Sequence, residues 1–159
     1  MKLSTFTSKW LMNLYPPLLI NRIVIKRISK DYREVDVVIK KSLLNRNLQG
    51  TIFGGTIFSA ADPFYALMYW QNFNLSGIKC EAWLKSADID YLKPGKTSLI
   101  ALFRLSEEDI REAGEAIQSN HKFEKWHEVN LIDKSGEVVA KVRTLVYLRK
   151  ARNDDKSVF

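Results

Sequence analysis

The sequence has little that could hold a metal ion or close a disulfide. Its 159 residues include a single cysteine, Cys80, and only two histidines. One cysteine cannot form an internal disulfide, and the histidines lie too far from it for the ligand spacing of a zinc site. We therefore expect a protein that needs no metal, with Cys80 as a packed thiol.

Long apolar runs are also missing. No segment approaches the roughly 20 apolar residues of a transmembrane helix. The N-terminus lacks the basic, apolar and small-residue series of a secretory signal. We expect a cytoplasmic protein that does not insert stably into membranes.

The composition predicts one globular domain. Hydrophobic residues make up 46% of the chain and charged residues 27%, which suffices for one core. We expect a single domain over 1–159, with an N-terminal helix within 1–17 and a polar tail at 150–159. The formal net charge of +7 favours an anionic partner, such as nucleic acid, a membrane surface or a phosphate-bearing small molecule. Nucleic acid is the weaker alternative, because the sequence has no basic helix, arginine-rich run or aromatic strand motif of a known nucleic-acid-binding domain.

The first predicted helix runs from Ser4 to Tyr15. Phe6, Trp10 and Leu14 recur at helical spacing, and two prolines end the pattern. We expect this apolar stripe to cover the core or a partner subunit. Contact with a membrane is the less favoured alternative.

Six strands are predicted in three local pairs: 21–28 with 33–41, 80–92 with 97–105, and 123–132 with 137–149. A small surface helix starts at Ser106, where Asp109 completes an imperfect capping box. A long apolar helix lies between the first two pairs. This order predicts an α+β fold in which an antiparallel sheet curls round the apolar helix, as in the hotdog arrangement.

The stretch "GTIFGGTIFSAADPFY", from Gly50 to Tyr65, predicts that buried helix because it leaves almost no polar face. It carries one carboxylate, Asp62, directly before Pro63. A proline removes a helical N–H and crowds the carbonyl four residues earlier, so we expect a kink that exposes Asp62 to a groove. Asp62 could instead be a structural acid, or the cap of a new helix opened by Pro63.

Gly54 and Gly55 lie where a loop enters this helix. The first N–H groups of a helix have no partner inside it, and glycine lets a substrate approach closely. The Gly55 N–H could thus donate to an incoming anion or to a carbonyl oxygen that gains negative charge in a transition state. In a continuous helix Asp62 would lie on nearly the same side, roughly 10 Å along the axis, as a base or a nucleophile. The alternative is that both glycines serve packing or a turn.

The segment "NLQGTIFGGTIFSAAD" resembles the helix-start motif of hotdog-fold acyl-CoA thioesterases of the phenylacetate-pathway and 4-hydroxybenzoyl-CoA type. In that motif an asparagine and His-Gly-Gly precede an acid on the central helix. Asn47, the glycine pair and Asp62 match it, whereas Phe53 stands where many relatives have histidine. "ADIDYLKPGK" is similar to that family's third strand and the turn after it. The variants here are closer to a branch described as tetrameric acyl-CoA thioesterases.

The resemblance implies hydrolysis of a fatty or aromatic acyl-CoA, with coenzyme A as part of the substrate and no separate cofactor. It implies Asp62, Gly55 and Asn47 as catalytic residues, and Thr51, Phe53 and Gly54 as substrate contacts. It also implies homodimers that pair their third strands, doubled to homotetramers, with the active site between subunits. The phosphates of coenzyme A would attract a cationic groove, for which Lys93, Lys96, Arg143, Arg149 and Lys150 are candidates.

Two other functions stay open. A non-catalytic hotdog module that binds acyl-CoA or a fatty acyl ligand is favoured by Phe53. A hotdog dehydratase fits less well, because Phe53 removes the obvious histidine. His121 and His127 are expected at the surface or a sheet edge. The tryptophans are expected in the core or at an interface, with Trp83 the one that could line a groove.

Overall fold

The computed structural model describes residues 4–151 and shows five α-helices, one short 3-10 helix and six strands in this range. In chain order they are α1 (Thr5–Leu14), α2 (Pro16–Ile20), β1 (Ile23–Ile28), β2 (Glu34–Ile39), the 3-10 helix (Leu43–Asn45), α3 (Gly54–Ser59), α4 (Phe64–Leu75), β3 (Cys80–Tyr91), β4 (Leu99–Arg104), α5 (Glu107–Ser119), β5 (Lys122–Ile132) and β6 (Val138–Lys150). The predicted polar tail at 150–159 lies outside the described residues from position 152 onward. No helix among the described residues is long and apolar enough to cross a membrane.

All six strands form one sheet in the order β1-β2-β4-β5-β6-β3, with antiparallel neighbours throughout. The β1–β2 and β5–β6 hairpins are as predicted. The predicted pairing of β3 with β4 is wrong, because β3 pairs with β6 and β4 lies between β2 and β5. In β4, buried Leu99, Ala101 and Phe103 alternate with exposed residues and lie opposite buried residues of β2. β4 thus continues the core face of the first hairpin, and β3 is left as an edge strand.

The predicted long helix is two helices, α3 and α4, separated by a turn over 60–63. The N–H groups of Ala61 and Asp62 both bond to the carbonyl of Phe58, and the next bond runs from the Leu67 N–H to the carbonyl of Pro63. Pro63 has no N–H with which to continue the ladder. The expected kink is therefore a full break, and Asp62 lies in it.

Helix α4 packs on the inner face of the sheet and supplies much of the core. Phe64, Met68, Tyr69 and Phe73 are almost fully buried, and the ring of Phe64 lies 4.9 Å from that of Phe103. A helix buried on nearly every side needs apolar residues all round, as the sequence predicted. The six-stranded antiparallel sheet with this helix on its inner face is the expected α+β hotdog arrangement.

Helix α1 packs on β1 through polar side chains. Ser8 Oγ lies 2.6 Å from the hydroxyl of Tyr32, and Asn13 bonds both the N–H and the carbonyl of Ile25. The apolar stripe of α1 faces away from the core, with Phe6 71% exposed. The expectation that this stripe covers the core is therefore wrong, and its alternative, a partner subunit, stays a prediction. The prolines do end α1, but they also begin α2, since proline suits the first turn of a helix.

His127 is buried, contrary to the expected surface or edge position. It lies on the inner face of β5 with Val129 and Leu131, because strand residues alternate between faces. Its ring stacks on Tyr65 at 4.5 Å, and its Nε2 lies 3.1 Å from the hydroxyl of Tyr69. Cys80 is buried as expected, and burial raises the pKa of its thiol to about 12.

The small helix α5 is as predicted. Ser106 Oγ accepts a hydrogen bond from the Asp109 N–H, and the Asp109 carboxylate accepts one from the Ser106 N–H. Ala113 and Ile117 bury its narrow apolar stripe.

Candidate functional site

Two clefts adjoin the edge strand β3 at different points along its length. The glycine cleft, of about 430 Å³, is lined by Asn47, Gln49, Thr51, Ile52, Gly54, Ile57, Tyr91, Leu92, Lys93, Pro94 and Gly95. The acid cleft, of about 270 Å³, is lined by Asp62, Pro63, Ala66, Leu67, Trp70, Ala82, Trp83 and Leu84. The acid cleft thus meets the first half of β3, and the glycine cleft meets its end.

In the glycine cleft, Asn47 holds the loop in shape. Its Oδ1 accepts hydrogen bonds from the N–H groups of Gln49 and Thr51, and its Nδ2 donates to the Thr51 hydroxyl at 2.9 Å. These bonds fix the chain just before the start of α3. Asn47 therefore acts on this chain as a loop residue that positions Thr51.

The two glycines begin α3 as expected. The first hydrogen bonds of this helix run from the N–H groups of Thr56 and Ile57 to the carbonyl of Phe53. The N–H groups of Gly54 and Gly55 find no carbonyl among the described residues, so they remain available to a ligand.

Side chains crowd both glycines. The Tyr91 hydroxyl donates to the Gly54 carbonyl at 3.0 Å, and a Cβ at Gly54 would lie 3.1 Å from the Tyr91 ring. A Cβ at Gly55 would lie only 2.3 Å from Cε1 of Phe53. A side chain at Gly54 would therefore press on the Tyr91 ring, and one at Gly55 would displace the Phe53 ring. Phe53 itself is 55% exposed, and its ring lies against the residue whose N–H would serve as oxyanion donor.

In the acid cleft, Asp62 carries a carboxylate that makes no hydrogen bond and no ion pair with any residue of 4–151. Its side chain does not cap α4, which begins after Pro63 without a side-chain cap. The surrounding protein partly desolvates the carboxylate and raises its pKa above the ordinary value for aspartate. The alternatives of a hydrogen-bonded structural acid and a helix cap are therefore not seen on this chain.

On one chain the predicted catalytic residues do not share a cleft, and Gly55 is not among the residues that line either cleft. The glycine cleft contains Asn47, Thr51, Gly54 and Lys93, whereas Asp62 lies in the acid cleft, and the two clefts share no lining residue. The helix break removes the continuous turns on which the expected placement of Gly55 and Asp62 depended.

The predicted coenzyme A contacts lie in different surroundings. Lys93 lines the glycine cleft and pairs with Glu137 at 2.5 Å. Lys96 is exposed outside both clefts, and its carbonyl accepts a hydrogen bond from Lys41 Nζ. Arg149 pairs with Glu81 and lies over the ring of Trp83 at 5.1 Å.

Tyr91 is a site residue that the sequence analysis missed. The alternation of "ADIDYL" placed Tyr91 in a strand, but no local signal showed that the strand would end beside Gly54. Trp83 does line a groove, the acid cleft, while its ring also stacks on Tyr147 on the sheet surface.

A family model described as "Domain of unknown function (DUF4442)" matches residues 4–148. The chain belongs to this family. No curated protein matches the sequence.

Solved structures share the fold at low sequence identity. Protein PA5026 of Pseudomonas aeruginosa, described as a probable thioesterase, is 22% identical with a TM-score of 0.85, over 95% of this chain and 99% of that one. The PaaI protein of E. coli, from the phenylacetic acid degradation operon, is 15% identical with a TM-score of 0.61, over 94% and 97%. Protein smu.793 of Streptococcus mutans, solved with acetyl CoA, is 19% identical with a TM-score of 0.58, over 82% and 90%. The likeness to these structures confirms the predicted α+β hotdog fold.

Proposed function

We propose that this member of the DUF4442 family hydrolyses acyl-CoA thioesters with a fatty or aromatic acyl group, with the Asp62 carboxylate as general base or nucleophile. The observation that carries the proposal is the unpaired Asp62 carboxylate, which lies in a cleft at the break of an otherwise buried helix. Asp62 is exposed on this chain, so its carboxylate is open to water and substrate, and carboxylates with perturbed pKa values in clefts are typical of functional sites. The hotdog fold, shared with a probable thioesterase, supports the same reaction class.

A homodimer would complete the site. Within residues 4–151, strand β3 has a partner strand on one side only, and exposed Trp83 and Tyr91 lie near its two ends. A two-fold axis that pairs β3 with its copy runs the two strands antiparallel. The first half of one β3 then lies beside the end of the other. The acid cleft of one subunit would thereby face the glycine cleft of its partner.

The chemistry follows from this juxtaposition. The Asp62 carboxylate takes a proton from water while the water oxygen forms a bond to the thioester carbon. The carbonyl π electrons move to oxygen, where the Gly55 N–H of the partner subunit donates to the developing charge. The oxyanion collapses, the C–S bond breaks, and the coenzyme A sulfur leaves with the electron pair and takes up the proton that Asp62 received from water, which restores the carboxylate. A direct attack by Asp62 would instead form a mixed anhydride that water then hydrolyses.

Coenzyme A enters only as part of the substrate. Its phosphates suit a basic chain, and Lys93 at the mouth of the glycine cleft is the best placed of the predicted contacts. The solved complex of smu.793 with acetyl CoA supports this ligand class. Thr51, Phe53 and Gly54 would then contact the acyl and pantetheine parts of the substrate. Lys96 would contribute only to the positive electrostatic potential around the site.

One observation favours a second function, an acyl-CoA-binding module without catalysis. Phe53 replaces the histidine of many relatives, and its ring packs against Gly55. An apolar ring there contributes no hydrogen bond to a thioester.

The decisive measurement is thiol release from short, long and aromatic acyl-CoAs by the wild-type protein and by Asp62→Asn. We expect the variant to lose roughly 10² or more in turnover, as is typical for a lost general base. Glu128→Gln is the matched control, since Glu128 is also exposed and unpaired among the described residues. Because the pKa of Asp62 is raised, wild-type activity should fall on acidification earlier than an ordinary aspartate would allow. Equal inactivity of both proteins, with intact acyl-CoA binding, would support the binding module instead.

Subunit complementation tests the shared site. Asp62→Asn and Gly55→Val should each be inactive, yet mixed and reassembled they should regain about a quarter of wild-type activity, because half of the random dimers hold one intact site of two. A mixture as inactive as its parents would show that the site does not span two subunits.

A further inference from the structure

The N-terminal face of the molecule exposes apolar side chains that the fold itself does not use. We define this face by the outward residues of α1 and α2, namely Phe6, Trp10, Leu11, Leu14, Leu19 and Ile20, each 47% or more exposed. The two helices contact each other, and the rings of Phe6 and Trp10 meet edge to face at 6.3 Å. An exposed apolar cluster of this kind marks an interaction surface.

A loop extends the same side of the molecule. Asn45 Nδ2 donates to the carbonyl of Asn21, directly after α2, and the Thr56 hydroxyl donates to the Asn21 side chain. These bonds hold the 3-10 helix beside the end of α2. Its Leu43 and Leu44 are 74% and 71% exposed.

Charge singles out this region. Segments 4–30 and 40–61, which carry the N-terminal face and the loop, contain eight lysines and arginines and no aspartate or glutamate. The whole excess of positive charge in the chain therefore comes from its first 61 residues. Lys9, Arg22 and Lys40 make no ion pair with any residue of 4–151.

A second copy of the chain is a poor occupant for this face. Symmetric pairing would bring the same cations together, and the face supplies no carboxylate to compensate them. Nucleic acid would use the cations but leave the aromatic and aliphatic side chains of two helices without a role. An anionic bilayer satisfies both, because apolar side chains enter the acyl boundary while cations meet the lipid head groups.

We propose that the N-terminal face docks this protein peripherally on anionic lipid membranes. Helix α1 lies in the interface with Phe6, Trp10 and Leu14 inserted, and Lys9, Arg22 and Lys40 contact the head groups. No helix spans the bilayer in this arrangement. The sheet and both clefts remain outside the lipid, attached through β1.

Co-sedimentation with vesicles tests the proposal without any acyl-CoA, so its outcome is separate from that of thioester hydrolysis. The probes are phosphatidylcholine vesicles with and without about 30% phosphatidylglycerol. The wild-type protein should bind the anionic vesicles, bind the neutral ones less, and dissociate as salt is raised. Wild-type protein that stays in the supernatant with both would overturn the proposal.

Matched variants locate the surface. Trp10→Ala should weaken binding roughly tenfold, as expected for withdrawal of a large apolar side chain. Lys9→Glu with Lys40→Glu should weaken it at least as much. Trp126→Ala and Lys134→Glu are the controls, since both residues are exposed elsewhere, on β5 and in the β5–β6 turn. Normal vesicle binding by the Trp10 variant would show that the N-terminal face is not a lipid surface. The same conclusion would follow if wild type did not bind vesicles and the Trp10 variant changed the oligomeric state in sedimentation.

Discussion

The buried His127 predicts a specific loss of stability on acidification. The side chain stacks on Tyr65, and its Nε2 lies within hydrogen-bond distance of the Tyr69 hydroxyl. Burial is the main cause that lowers its pKa from 6.5 to about 4, with Lys125 lowering it and Asp109 raising it. The histidine in the folded protein therefore resists protonation that the unfolded chain accepts.

The sign and size follow from linkage. A group whose pKa is depressed on folding adds stability above its unfolded pKa, and this is lost as pH falls toward the folded pKa. A difference between 6.5 and about 4 corresponds to about 3 kcal/mol of unfolding free energy, most of it lost by about pH 4.5. Carboxylates also titrate near the lower end of this window, so a comparison with a variant is needed.

The assay is urea unfolding of wild type and His127→Gln at several pH values between about 8 and 4.5. The free energy of unfolding of wild type minus that of the variant should fall by roughly 2 to 3 kcal/mol over this range. His121→Gln, at an exposed histidine, is the control. Its unfolding free energy should change with pH in the same way as that of wild type. A difference that stays constant with pH would refute the reasoning, since it would mean that His127 charges as readily in the folded protein as in the unfolded chain.

Two further predictions concern local contacts. Tyr91→Phe removes the 3.0 Å hydrogen bond to the Gly54 carbonyl. It should lower thioester turnover while changing the unfolding free energy by no more than about 1 kcal/mol, and Tyr147→Phe, measured in the same two assays, should change neither. Gly114→Ala in α5 should raise the unfolding free energy by about 0.5 to 1 kcal/mol in urea. The added Cβ would meet only the Phe73 ring at 3.8 Å, an ordinary contact, so a loss of stability would contradict this assignment.

Local sequence patterns predicted the strands and helices well where a segment pairs with another segment close to it in the sequence. The β1–β2 and β5–β6 hairpins have short polar turns, and the capping box of α5 is complete within four residues. The position of β4 was missed because a strand partner far along the chain leaves no local signal. The register of β4 with β2 depends on which face each strand buries, and that becomes visible only once the sheet is assembled.

The same distinction applies to the site. The glycine pair and Asp62 could be identified from one stretch, but Gly54 lines one cleft and Asp62, at the helix break, lines the other. The burial of His127 could have been inferred from its alternation with Val129 and Leu131. The outward orientation of the apolar stripe of α1 could not be inferred from the sequence. It depends on Ser8 and Asn13, whose partners, Tyr32 and Ile25, are in place only in the folded β1–β2 hairpin.

The net positive charge of the chain comes from its first 61 residues, in which acids occur only at 31, 34 and 36 of the β1–β2 hairpin, so basic side chains are concentrated in the part of the chain that carries the N-terminal face. An uneven charge distribution orients a protein during its diffusional approach, so that it meets an anionic partner mostly with its basic region facing that partner. The field extends over a screening length of about 8 Å at physiological salt. Salt should therefore slow association with lipid head groups or phosphates more than it speeds dissociation. The orientation in which the clefts arrive at an anionic surface is thus set during approach.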